Sequence, residues 1–93
     1  MELRNEDFNE LIKNGVVLVD FFATWCGPCK MQSAVLNQME EELNIVKVDV
    51  DDHPDLAREY GVMSIPTLLL FKNGELVQKK IGFSSSAEIK SWL

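Results

Sequence analysis

The chain is poor in cysteine. Only Cys26 and Cys29 occur among its 93 residues, and they lie three apart. A scaffold held by several disulfides is therefore excluded. Histidine is scarcer still: His53 is the only one. One imidazole and two thiols fall short of the four N/S ligands usual in a structural zinc site. Basic residues are the minority, nine Lys and Arg against fifteen Asp and Glu, for a formal net charge of −6. That disfavours nucleic acid, whose binders carry basic patches. No apolar run approaches the length needed to span a bilayer, so no membrane is expected. The start, Met1 to Asp7, lacks the charged-then-apolar form of a signal peptide. A cytoplasmic protein is the expectation. Repeats, linkers and low-complexity stretches are absent; the serines at 84–86 are too few to form one.

What is present is a chain 46% hydrophobic. One compact domain over residues 1–93 is the natural reading. The acidic residues cluster at Glu40-Glu41-Glu42 and at Asp49, Asp51, Asp52 and Asp55. They read as solvated faces. Met1 to Leu3 suits a short edge strand. Asn5 is a candidate helix cap, Phe8, Leu11 and Ile12 share a face, and Asn14-Gly15 ends the helix. Val16 to Phe22 is a near-continuous apolar run, the form of a strand buried on both faces. A second helix is predicted from Cys26 to about Glu42, with Met31, Val35 and Met39 as core filler beside Leu36 and Leu43. Ile45 to Val50 alternates as a strand. Pro54 opens a third helix, with Leu56 and Tyr60 inward and Gly61 at its end. Thr67 to Phe71 and Leu76 to Ile81 are strands joined by Asn73-Gly74, the strongest short hairpin signal. Ser85-x-x-Glu88 has the form of a capping box, ahead of Ile89, Trp92 and Leu93. The order is β-α-β-α-β-α-β-β-α. Its early βαβ units imply parallel pairing, and its hairpin an antiparallel end.

The chemistry centres on Trp25-Cys26-Gly27-Pro28-Cys29, at a strand-to-helix junction. The first N–H groups of a helix lack intrahelical partners and carry partial positive charge. A thiolate placed there is stabilised, and the thiolate is the nucleophile. Residues three apart share a helix face, so the second sulfur can reach the first. Pro28 suits the first turn, and Gly27 lets the backbone bend while keeping Cys26 open to approach. A structural disulfide, half a zinc site joined by His53 and two inert thiols are the competing readings. So short a ring adds little by loop closure, and the redox pair is preferred.

Val19 to Met31, with Asp20 and the Trp-Cys-Gly-Pro-Cys string, resembles the active-site segment of the thioredoxin family. Ile65 to Gly74 resembles its second signature, and Lys47-Val48-Asp49 and Ile81-Gly82 fall where the family pattern puts them. The resemblance runs through nearly all of the chain. It implies an α/β thioredoxin fold, a central mixed sheet flanked by helices, and a cis Ile65–Pro66 bond. The lowered thiol pKa of such pairs is a known property of this family and comes with the resemblance. Ala34 stands where many members have a kinking proline, so a straighter helix is expected. Phe22 replaces a common tryptophan. Both ends are short for the family, which suits either a trimmed or a naturally minimal chain.

The resemblance implies reduction of disulfides in protein substrates, with electrons from a thioredoxin reductase and no cofactor beyond the Cys26–Cys29 pair. A monomer is expected. Cys26 is the expected nucleophile and Cys29 the resolving thiol. Asp20, by resemblance beneath Cys29, is the expected general base; capping a backbone group is its alternative role. Lys47 either points at solvent or moderates the Asp20 charge. Trp25, Gly27, Pro28, Ile65, Pro66 and Gly82 are the expected substrate-contacting set. The Ile65 backbone is suited to pair with an extended peptide. His53 reads as an exposed turn residue, and Lys30 as a solvent-directed cation near the thiolate. An oxidase or isomerase of the same fold, a binding module with incidental cysteines and a metal-thiolate carrier remain open alternatives.

Overall fold

In a computed structural model, residues 1–93 are described throughout. Four strands form one sheet in the order β2-β1-β3-β4. They are β1 (Val16–Phe22), β2 (Asn44–Asp49), β3 (Thr67–Lys72) and β4 (Glu75–Ile81). The helices are α1 (Phe8–Ile12), α2 (Gly27–Asn37), α3 (Pro54–Glu59) and α4 (Ser86–Lys90). β1 and β2 are parallel, joined through α2 as a βαβ unit. β3 runs antiparallel to β1, so the antiparallel half begins before the hairpin. The hairpin then adds β4. Its loop is Asn73-Gly74, with φ of 50° and 85°. Positive φ at both residues is what a twist-matched two-residue turn requires.

The pleat of β1 sorts its side chains to two cores. Val17, Val19 and Phe21 face the α1/α3 side, with Phe8, Ile12, Val46, Val48, Leu69 and Phe71. Tyr60 joins that core, its ring 5.7 Å from Phe71 and 5.8 Å from Phe8. Leu18 faces the opposite side, with Leu36, Met39, Leu43, Ile45, Leu68, Leu70 and Ile89. Asp20, two residues on from Leu18, shares that face by the period-2 rule. The strand is buried on both sides, which is why it reads as an apolar run broken by a single carboxylate.

Several boundaries differ from the sequence reading. The N-terminal strand reduces to one bridge, Glu2 beside Lys47, flanked by backbone hydrogen bonds between Leu3 and Lys47 and between Lys47 and Met1. Asp7, not Asn5, caps α1; its carboxylate accepts from the Asn9 N–H. α2 stops at Asn37, and residues 38–42 are turns. Met31 is 62% exposed, so it is not core filler. The buried stripe of α2 is Cys29, Gln32 and Leu36 instead. In α4, Ser85 Oγ accepts from the Glu88 N–H, but the Glu88 carboxylate pairs with Lys80 at 2.6 Å rather than closing the box. Ile89 and Trp92 pack inward, while Leu93 is exposed.

Candidate functional site

β1 ends at Phe22 and α2 begins at Gly27, which puts the Cys pair just beyond the C-terminal end of a central strand. Cys26 is the N-cap of α2. Its sulfur accepts a hydrogen bond from the Cys29 N–H at 3.2 Å. That N–H is one of the orphan donors of the first turn, and it stabilises negative charge on the sulfur. Pro28 occupies the first turn, where no N–H is needed. Gly27 has no positive φ, so it supplies no special bend, contrary to the sequence reading. A Cβ there would meet nothing within 4 Å, so the approach to Cys26 is open on that side. Cys26 and Cys29 are joined as a disulfide, with Cα atoms 5.2 Å apart. Both are buried, Cys29 at 2% exposure and Cys26 at 6%.

The loop before β3 closes over the pair. The Ile65–Pro66 bond is cis. The Ile65 carbonyl oxygen lies 3.9 Å from Cys26 Sγ. The Gly82 N–H donates to the Pro66 carbonyl at 2.8 Å, which ties the end of β4 to this loop. Gly82 has a φ of 90°, a region favouring glycine. Trp25 is 70% exposed, and its indole N–H donates to Asp51 at 2.9 Å. Cys26, Ile65, Pro66 and Gly82 are thus linked directly or through the loop, with Gly27 and Pro28 on the helix start and Trp25 flanking Cys26 in the chain.

Asp20 is fully buried, and neither carboxylate oxygen has a protein hydrogen-bond partner. It therefore does not cap a backbone group. Burial pushes its pKa up from 3.8 to about 6, and the positive charge of Lys47 opposes that rise. Lys47 is the register partner of Asp20 across the parallel β1–β2 pair. It does not simply point at solvent. Its ammonium donates to Ser33 Oγ on α2 and stands 5.6 Å from the Phe22 ring centroid. A cavity of about 230 Å³ opens here, lined by Phe22, Ala23, Thr24, Cys29, Lys30, Ser33 and Lys47.

Other expectations are corrected. His53 is half-buried and its Nε2 is 3.0 Å from the Leu3 carbonyl, so it is not a free turn residue and does not approach the sulfurs as a ligand set. Asp49 is buried and accepts from the Asp51 N–H, which shapes the turn that presents Asp51 to Trp25. Ser33, Asp51 and Gln32 were not singled out from sequence. Gln32 bridges α2 to the segment before α4, donating to the Ser84 carbonyl at 3.0 Å and accepting from the Ser84 N–H at 2.7 Å. Its signal was its position: it falls on the helix face of Cys29 and Leu36.

Comparison with known proteins agrees with this geometry. The family model described as Thioredoxin matches residues 1–93. The chain is 55% identical over 80 residues to thioredoxin of Chlamydia caviae, covering 83% of this chain and 78% of that protein. It is 49% identical over 87 residues to thioredoxin of Staphylococcus epidermidis, covering 89% and 84%. Among solved structures, a mutant thioredoxin from Halobacterium salinarum superposes with a TM-score of 0.92 at 35% identity, covering 99% of this chain and 85% of that one. No helix here is long and apolar enough to cross a membrane. With a Cys-x-x-Cys disulfide capping a helix at the end of a mixed sheet, the chain belongs to the thioredoxin family, the thiol-disulfide oxidoreductases that reduce protein disulfides through such a pair.

Proposed function

We propose that Cys26 is the attacking thiol and Cys29 the resolving one. The observation that carries this is the hydrogen bond from the Cys29 N–H to Cys26 Sγ at the start of α2. In the reduced protein that donor favours the thiolate at Cys26 over the thiol. The Cys26 thiolate attacks one sulfur of a substrate disulfide, forming a mixed disulfide and expelling the first substrate thiolate. Cys29, deprotonated, then attacks Cys26 Sγ and expels the second. The substrate gains two electrons and the pair returns to the disulfide.

Asp20 takes the Cys29 proton in this reading. A carboxylate with a pKa near 6 is mostly ionised at neutral pH, so it is available to accept a proton, and it is more basic than an ordinary carboxylate. Trp25, Gly27, Pro28, Ile65, Pro66 and Gly82 contact the substrate, with the Ile65 carbonyl beside the reacting sulfur as a backbone partner for an extended segment. A thioredoxin reductase restores the dithiol, and no cofactor beyond the pair takes part. The protein acts as a single-domain monomer in the cytoplasm, without nucleic acid or membrane; its net charge of −6 and its paired cysteines fit that setting.

The test is trapping on insulin. Cys29→Ser accumulates a mixed disulfide on a non-reducing gel, because attack succeeds and resolution fails. Cys26→Ser traps far less. Equal trapping by the two variants overturns the assignment. Multiple-turnover insulin reduction by the wild type with a supplied thioredoxin reductase tests the electron donor.

A further inference from the structure

Four features of the cavity behind Cys29 bear on one another. Ser33 lies one helical turn beyond Cys29 on α2, with its side chain on the cavity wall. Its hydroxyl oxygen accepts a hydrogen bond from the Lys47 ammonium. Lys47 sits across from Asp20 in the β1–β2 register, on the same face of the sheet. Asp20 has no hydrogen-bond partner and forms no ion pair with Lys47. The cation in register with Asp20 is thus held by Ser33 and not by the carboxylate.

We propose that Ser33 is a positioning residue for disulfide exchange: its hydroxyl tethers the Lys47 ammonium beside the Asp20 carboxyl, and so keeps Asp20 ionisable when Cys29 must lose its proton. This deepens the reading of Asp20 as base and rests on it. A lysine side chain has four rotatable methylene links and a strongly hydrated head. Asp20 is closed off from the surface, whereas the cavity beside Lys47 is open. A released ammonium therefore moves outward to water, and the carboxyl loses the positive charge that offsets its desolvation. The Phe22 ring adds a second, weaker hold on the ammonium, in the cation–π sense. The groups facing Asp20 are few. Lys47 on β2 and Leu68 on β3 are its register partners, and the core on that face of the sheet holds Leu18, Leu36 and Ile89. Lys30 stands at the cavity wall, on α2. Lys47 is the one of these that lowers the Asp20 pKa.

The experiment titrates Asp20 directly, by side-chain carboxyl NMR of the oxidised protein, in the wild type, Ser33→Ala, Ser33→Thr and Lys47→Met. Ser33→Ala raises the Asp20 midpoint by about half a pH unit, the size expected when one partly screened charge is moved away. Ser33→Thr, which keeps the hydroxyl, restores the wild-type midpoint. In a Lys47→Met background, Ser33→Ala produces no further change, because the tether then has nothing to hold. Single-turnover insulin reduction at about pH 6 slows about twofold in Ser33→Ala and recovers as the pH rises, following the ionised fraction of a base whose midpoint has moved up. An unmoved or lowered Asp20 midpoint in Ser33→Ala overturns the proposal. So does an equal shift with and without Lys47. If the midpoint moves as stated while Asp20→Asn reduces insulin at the wild-type rate, the tether stands and the base assignment is what fails.

Discussion

Asp20→Asn makes the protein more stable and less active. The magnitude follows from the burial of the carboxyl. Its folded pKa is raised from 3.8 to about 6, a change of a little over two pH units. At about 1.4 kcal/mol per unit, the ionised carboxylate costs the folded state about 3 kcal/mol. Asp20 is fully buried, so solvent screening does not discount this figure. The sign is set by which state binds the proton more tightly. The folded pKa lies above the unfolded one, so below about pH 3.8 the carboxyl is neutral in both states and its contribution is fully present. Between about pH 3.8 and pH 6 the unfolded chain ionises first, and stability falls. Above about pH 6 both states are ionised, and the loss is complete.

Asparagine has no charge to desolvate, so its advantage grows across that window and then stays level. It carries a buried amide in place of a buried neutral acid, and both lack hydrogen-bond partners at this position. At about pH 8 the expected gain is of the order of 2–3 kcal/mol, against a typical total stability of about 5–15 kcal/mol. The assay is denaturant unfolding of the disulfide form from about pH 4 to pH 8, where no thiol titrates alongside. The denaturant slope should match the wild type, so that the midpoint reports stability alone. Single-turnover insulin reduction runs in parallel and should be slowed most near neutral pH. A variant no more stable than wild type at pH 8 would falsify the account of Asp20 as a desolvated carboxylate. A flat difference across pH would do the same.

The remaining predictions concern packing and turns. Gln32→Ala strips two hydrogen bonds from the buried Ser84 backbone and leaves a cavity, and should cost about 3 kcal/mol in urea unfolding; a loss under 1 kcal/mol would mean water or a rearrangement replaces the bridge. Met31→Gln should change stability by no more than about 0.5 kcal/mol, since the side chain is mostly in water; a cost typical of a core methionine would contradict its exposure. Gly74→Ala puts a Cβ at a φ of 85° in the hairpin loop and should lower stability by about 1–2 kcal/mol, read as a drop in Tm with the sheet signal retained.

Local chemistry is what the sequence displayed well. The Cys pair, the apolar run of β1, the Asn73-Gly74 turn and the Ser85 cap each depend on neighbours within a few residues, and each is found where the spacing put it. The failures arise where local signals tie or where distant partners decide. Asn5 and Asp7 are both good caps, and nothing within the segment decides between them. The stretch after Asn37 has helical composition but ends early, since Met39 and Leu43 are drawn into the α2/α4 core from turns. Met31 keeps the i,i+4 spacing of Val35 and Met39, yet the face that packs is the one carrying Cys29, Gln32 and Leu36. Periodicity identifies a stripe only when the competing stripe is polar, and here Gln32 made the buried stripe look like the exposed one. The partners of Lys47, Trp25 and His53 are 14, 26 and 50 residues away, and no short-range pattern encodes them.

The burial of Asp20 was nevertheless legible, and it bears on the role proposed for the carboxyl. A carboxylate inside an apolar strand contradicts the local pattern, and such contradictions concentrate where function is carried. The structure adds why the contradiction is left in place. An ion pair with Lys47 would relieve the desolvation, but it would also draw the Asp20 pKa down and make it a weaker base. Removing the cation altogether would push the pKa higher still. The observed arrangement avoids both, with Lys47 in the adjoining register position and its ammonium bound to Ser33. The resulting value of about 6 lies between that of a free carboxylate and that of a fully desolvated acid, which suits the proposed role of Asp20 as base. The stability cost and the raised pKa therefore have one origin, the burial of the Asp20 carboxyl, and a substitution that removes one removes the other.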